Sequence, residues 1–127
     1  MFLLGTWVAG NRPAVRQMVD DGHVLGNHSY SHPHFPRISR AAARGESERA
    51  EAIIREASGG VSPRPRFRFP YGDGQRDSGL LQSAAGEGYG ACSWTVDPQD
   101  WRGHPPARIV QSVLGAVQIA GRERRPI

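Results

Sequence analysis

Short apolar runs separated by amphipathic stretches alternate along the chain, and their spacing predicts strands joined by helices. Phe2 to Leu4 is an apolar run of strand length. Asn11 stands where it can cap a helix with Pro13 in its first turn, and Val15, Met18 and Val19 form an apolar stripe that ends before Gly22. Val24 and Leu25, bracketed by Gly22 and Gly26, predict a short buried strand. After a loop punctuated by Pro33 and Pro36, Ser39 begins a longer helix to about Ala57, anchored by Ile53 and Ile54 and stopped by Gly59-Gly60. Pro63 and Pro65 lead into a strand at residues 66–69, and Leu80 and Leu81 mark another helix. Residues 91–96 read as a strand, and Pro105-Pro106 opens a last helix carrying Ile109, Val110, Val113 and Leu114. No internal repeat is present. Strands separated by helices imply a mainly parallel α/β architecture.

Composition narrows this picture without choosing a function. A chain of 127 residues suits one domain with a single core. It is short for a complete β/α barrel, which takes about 250 residues. Cys92 is the only cysteine, so neither an internal disulfide nor a thiolate cluster is expected; Ala91 and Ser93 beside it predict a buried strand position. The formal net charge is +4 and all 16 basic residues are arginine. They are scattered rather than gathered on one element, and only Arg64, Arg66 and Arg68 alternate as one strand face would require. No nucleic-acid surface is expected from such a distribution. No apolar run is long enough to span a membrane, and Met1-Phe2-Leu3-Leu4 lacks the basic region and cleavage site of a secretion signal. The compartment is left open.

Candidate chemistry concentrates between Gly22 and Pro33, where His28 and His32 stand four residues apart. On one helical turn two such imidazoles share a face and can grip a single ion. The flanks place the pair at the carboxyl end of the Val24-Leu25 strand, with Asn27 opening the turn. That end is where β/α proteins build their sites. A divalent metal with open positions polarises a carbonyl and acidifies bound water, so the pair points towards hydrolysis.

The stretch from Gly22 to Pro33 resembles the metal-binding motif of the polysaccharide deacetylase family, the NodB-homology domain of carbohydrate esterase family 4. Phe67-Arg68-Phe69-Pro70-Tyr71-Gly72 resembles the family's Arg-x-Pro-Tyr motif, and Trp94 to Trp101 resembles its Asp-x-x-Asp-Trp motif, in the family's order. The resemblance runs from about Phe2 to Val117. It implies a partial distorted (β/α) barrel over residues 1–119, lacking the first and last strands, followed by an Arg-rich tail at 120–127. It further implies a divalent metal, zinc, at His28 and His32, with Arg68 charge-pairing the catalytic base. The Tyr71 backbone N–H would serve the oxyanion next to Pro70. Asp100 would orient a general-acid histidine, and Trp101 would wall the acetyl pocket. His23 and His34 are expected to be structural. The implied substrate is an acetylated polysaccharide of the peptidoglycan, chitin or xylan type.

Two parts of the family pattern are not found. The family opens with Thr-Phe-Asp-Asp-Gly, whose first Asp is the base and whose second is the third metal ligand. Asp20-Asp21-Gly22 looks like this motif but falls at a helix end. The family closes with Leu-x-His, whose His is the general acid, whereas no His follows His104 and the chain runs out through Arg122 to Ile127. Such an ending suits a frameshifted or truncated reading frame. Zinc is then expected to be weakly held, the chain to be a poor enzyme or a non-catalytic remnant that binds glycan or a partner protein, and bare sheet edges to favour self-association.

Overall fold

Three helices that lead towards strands end in one way, and this sets the rhythm of the fold. The computed structural model describes residues 1–122. After the strand β1 (Phe2–Leu3) come helices α1 (Gly5–Gly10) and α2 (Arg12–Asp20), then β2 (Gly26–Asn27). Next are α3 (Arg40–Ala57), β3 (Arg66–Phe67), α4 (Ser78–Gly86), β4 (Gly90–Ala91) and α5 (Pro106–Arg122). Past α2, α3 and α4 lie Gly22, Gly59 and Gly88 with φ of 79°, 75° and 81°. The next residue of each turns back: His23 N–H bonds Met18 O at 2.8 Å, Gly60 N–H bonds Arg55 O at 2.7 Å and Tyr89 N–H bonds Ala84 O at 2.9 Å. This is the Schellman closure, and it redirects the chain at each helix end. Asp20-Asp21 thus closes α2, with Arg16 paired to Asp20 and Gln17 to Asp21.

The four strands form one parallel sheet in chain order, β1-β2-β3-β4. Its register pairs Phe2 with Gly26, Asn27 with Phe67, and Arg66 with Gly90. At Gly26 an added Cβ would sit 2.7 Å from the Phe2 ring, so glycine permits this approach. Helix α3 packs on α1, α2, β2 and α4. It supplies Ala50, Ile54 and Ala57 to one core with Leu3, Val8, Val15 and Leu25, and Ala43 to a second. The second core is built on Phe35, Phe67, Phe69, Leu80, Ala84 and Tyr89, whose aromatic rings meet largely edge to face. Ser39 caps α3 as expected, its side chain accepting from Ala42 N–H.

Several local expectations change. Residues 5–10 form the additional helix α1, and Asn11 sends its side chain back to Trp7 O at 2.8 Å instead of capping α2. The second strand lies at Gly26–Asn27, beyond Val24, which is 53% exposed. The last strand is only Gly90–Ala91, and Cys92 follows it half-buried. A parallel sheet flanked by helices is therefore present, as expected. The chain divides into one unit at Met1–Ser93 and a second from Trp94. In the second, α5 carries Ile109 and Val113 half-buried. Of the expected tail, residues 120–122 continue α5, and residues 123–127 lie outside the described residues. Among the described residues, no helix is long and apolar enough to cross a membrane.

Candidate functional site

The loops after β2 and β3 leave the sheet side by side at its carboxyl ends. His28 N–H donates to Leu3 O at 3.0 Å, and Arg68 N–H donates to Asn27 O at 2.9 Å. This puts His28 Nδ1 2.8 Å from the Arg68 carbonyl oxygen. A carbonyl only accepts, so Nδ1 carries the hydrogen and Nε2 offers a lone pair. Nε2 of His32 lies 3.1 Å away and donates to it, the two rings meeting edge to face. Burial lowers the pKa of His28; the Arg68 carbonyl opposes this, while His32 and the Arg68 cation add to it. Burial also lowers the pKa of His32, against the pull of Asp73 and with a push from His34. Both directions favour neutral imidazoles.

The pair sits on a loop, not on a helical turn. Ser29 and His32 have φ of 67° and 63°, a region that side chains with a Cβ enter at a cost. Hydrogen bonds hold them there. Asn27 Oδ1 accepts from Ser29 N–H at 2.9 Å, and Ser29 Oγ accepts from His32 N–H at 3.1 Å. The first amides of α1 complete the frame, Gly5 N–H donating to Ser29 O and Thr6 N–H to Tyr30 O. Gly5 is required here because a Cβ would enter the Tyr30 ring. Asn27 itself is fully buried and donates to Ser47 O at 2.8 Å and Tyr89 Oη at 2.9 Å. Tyr89 in turn donates to Glu51, which also accepts from Arg64.

The expectation of zinc at His28 and His32 is corrected. Among the described residues there is no group of three or more His, Cys, Asp or Glu side chains able to hold a metal ion. Protein zinc sites draw on three or four such donors, because a dehydrated dication needs more compensation than two neutral imidazoles give. The donor set therefore does not fit a metal, and the two ring nitrogens bond each other.

Tyr71 stands at φ 57° in a 3₁₀ turn, Pro70–Gly72, and is 57% exposed. His32 meets that ring edge-on with centroids 4.4 Å apart, and His34 stacks on it at 4.0 Å. His34 Nδ1 lies 2.5 Å from Asp73 Oδ2. The other Asp73 oxygen is buried without a hydrogen-bond partner among the described residues. His34, expected to be merely structural, thus lines the site; its place two residues after His32 was the available signal. An open groove of ≈ 390 Å³ runs past Tyr71, Gly72, Asp73 and Arg76. Pro70 is buried beneath the turn. Arg68 lays its guanidinium over the Phe2 ring at 4.1 Å and donates from Nε to Cys92 O at 3.4 Å. Asp100 and Trp101 belong to the second unit, in a 3₁₀ turn (Asp100–Arg102) flanked by left-handed Gln99 and Gly103. Trp101 is 71% exposed there, with Arg102 over its ring.

The sequence pattern of the polysaccharide deacetylases matches residues 1–92. The chain belongs to this family. Among polysaccharide deacetylase relatives, the chitooligosaccharide deacetylase of Bradyrhizobium sp. (strain ANU 289) is 38% identical over 117 residues, covering 92% of this chain and 52% of that protein. The family 4 carbohydrate esterase from Streptomyces lividans, solved with acetate, is 38% identical with a TM-score of 0.80, over 89% of this chain and 57% of that one. A family 4 pseudoenzyme from Bacillus anthracis is 29% identical with a TM-score of 0.82, over 91% of this chain and 40% of that one. The chain spans about half the length of the first two.

Proposed function

We propose that this chain carries part of a polysaccharide deacetylase-like hydrolase that removes acetyl groups from N-acetylglucosamine-containing or O-acetylated polysaccharide, and that it is impaired as it stands. The reading takes β1 to β4 as an arc of the family's distorted (β/α) barrel, without its first and last strands. It rests above all on the neutral imidazole pair, with His28 Nδ1 fixed on the Arg68 carbonyl and His32 against the exposed Tyr71 ring. In this reading the Tyr71 N–H serves the oxyanion of the tetrahedral intermediate, and Pro70 holds that turn in place. Arg68 is the cation that keeps a neighbouring carboxylate ionised. Roles for Asp100, as orienter of a general acid, and Trp101, as a wall for the acetyl methyl, rest on the sequence resemblance alone. The names of the relatives, a chitooligosaccharide deacetylase and a carbohydrate esterase in complex with acetate, support an acetylated glycan.

Impairment is supported by the donor set, which among the described residues offers no group of three or more metal-binding side chains. Each missing proton-transfer group costs about 10²- to 10⁴-fold in rate. The measurement is acetate release from chitooligosaccharides and acetylated xylan by the purified chain, beside a full-length relative, with glycan binding followed by calorimetry. Release at least about 10²-fold slower than the relative, with binding retained, is the expected result. Equal rates would refute the impairment, and neither release nor binding would sink the reading altogether.

A second reading, a non-catalytic glycan-binding remnant, is favoured by the two-donor site and by the likeness to a pseudoenzyme. Binding with no acetate release selects it. The outer edges of β1 and β4, unpaired among the described residues, are where we place self-association; light scattering that rises with concentration tests this.

A further inference from the structure

The loop that carries the two histidines is short of partners for its backbone amides, and one side chain from another element supplies them. Glu46 lies in the second turn of α3, one residue before Ser47 on the stripe that also presents Ala43 and Ala50 to the core. Its carboxylate faces away from the cores and into the histidine loop. Glu46 Oε2 accepts from Tyr30 N–H at 2.9 Å and from Ser31 N–H at 2.7 Å. The other oxygen, Oε1, accepts from Ser31 Oγ at 2.8 Å. These three charge-assisted bonds fall between Ser29 and His32, the two residues held at positive φ.

The other fastenings of the loop do not duplicate this one. The α1 amides bind the carbonyls of Ser29 and Tyr30, and Asn27 and Ser29 bind the amides of Ser29 and His32. Among the described residues, only Glu46 binds the amides of Tyr30 and Ser31. Without it, both N–H groups must turn to solvent, and the chain is free to leave the left-handed conformation at His32. The His32 ring would then part from His28 Nε2.

We propose that Glu46 is the positioning residue of the imidazole pair, acting through the Tyr30 and Ser31 amides to set the His32 ring against His28 and Tyr71. It touches neither ring. The consequence for hydrolysis rests on the deacetylase reading, but the positioning itself does not.

The test reads ring nitrogens directly. In the ¹⁵N-labelled chain at fixed neutral pH, long-range ¹H–¹⁵N spectra of the wild type should give His28 as the Nδ1–H tautomer and His32 as the Nε2–H tautomer. Glu46→Ala should leave His28 unchanged, still held by the Arg68 carbonyl, and should collapse the two His32 nitrogens towards an averaged shift. Glu46→Gln, which keeps an acceptor oxygen for the amides, should restore the His32 pattern in large part. A control at Glu48, on the same helix but bonded to Arg44, should change neither ring. An unchanged His32 pattern in Glu46→Ala overturns the proposal. Should Glu46→Ala fail to fold, Glu46→Asp is read instead; one methylene shorter, it cannot span both amides, and a wild-type His32 pattern there overturns the proposal equally. Acetate release by the wild type judges the deacetylase reading separately, so a silent enzyme with a Glu46-dependent His32 leaves the positioning role standing.

Discussion

The unit that ends at Ser93 and the unit that begins at Trp94 treat their motif residues in opposite ways. In the first, His28, Arg68 and Tyr71 stand on loops whose backbone groups are tied to β1, β2, α1 and α3. All the buried residues among those described belong to this unit. In the second, Asp100 and Trp101 share a single 3₁₀ turn, both exposed, and α5 buries none of its residues. A motif can thus be present in sequence in both units while only one of them builds a conformation around it. Position fixed by the surrounding structure is what a site needs, and residue type alone does not supply it.

The sharpest way to break this comparison is to remove one aromatic side chain from each unit. Phe67 is 1% exposed and meets Phe35, Phe69 and Tyr89. Phe67→Ala should cost about 3–5 kcal/mol in urea unfolding, close to abolishing a marginal fold. Trp101→Ala should change stability by no more than about 0.5 kcal/mol. Equal losses would show that the second unit is as well supported as the first. Next in size is Asn27→Ala, which leaves the buried Ser29 N–H without its acceptor and removes one donor each from Ser47 O and Tyr89 Oη; the orphaned amide should cost about 1–3 kcal/mol. Removing the α3 cap with Ser39→Ala should cost about 1 kcal/mol by the same assay.

A smaller effect is a slope with pH. Burial raises the pKa of Glu87, against hydrogen bonding from Ser47 and the charge of Arg44, while Glu48 raises it further. One of its oxygens is buried without a hydrogen-bond partner among the described residues. A raised folded-state value favours the protonated form in the fold. The associated stability is full below the unfolded carboxylate value and is lost as pH rises through the folded one. Glu87→Gln should remove this decline, so its stability should fall less than that of the wild type between acid and neutral pH. A parallel pair of curves would contradict the assignment. Last comes a null effect. Zinc at a hundredfold excess over a Kd would add about 2.7 kcal/mol, yet we expect neither zinc nor a chelator to move the melting temperature. A clear rise would reinstate the metal.

Helix limits were legible because their signals are local. Ser39 before Arg40 and Gly59-Gly60 after Ala57 carry the cap and the left-handed stop in adjacent residues. The parallel α/β order was legible for the same reason. The second strand was not, since Val24 looked like its centre while the ladder runs through Gly26 and Asn27. A buried polar Asn27 becomes reasonable only when Ser47 and Tyr89 are seen to satisfy it, and they lie 20 and 62 residues away. Helix α1 escaped for a like cause: Gly5, Thr6, Trp7 and Gly10 are weak helix formers, and bonds to the distant Ser29 and Tyr30 settle the matter. The imidazole pair was found from its spacing, though on a loop instead of a helical face. The zinc expectation failed because ligand count is a property of three-dimensional neighbours. Glu46 left one trace, a carboxylate beside an inward stripe of small residues, and its target lies 15 and 16 residues back.

The sheet order has a consequence for how the chain is made. Because β1, β2, β3 and β4 pair in the order of synthesis, each new strand meets a partner that has already left the ribosome. Gly26 can join Phe2 before α3 exists, Phe67 can join Asn27 once α3 is complete, and Ala91 arrives last on Phe67. Among the described strands, none has to be inserted between neighbours made later. The nascent chain can therefore grow its sheet outward one strand at a time, with the histidine loop framed as soon as α3 emerges to clasp it.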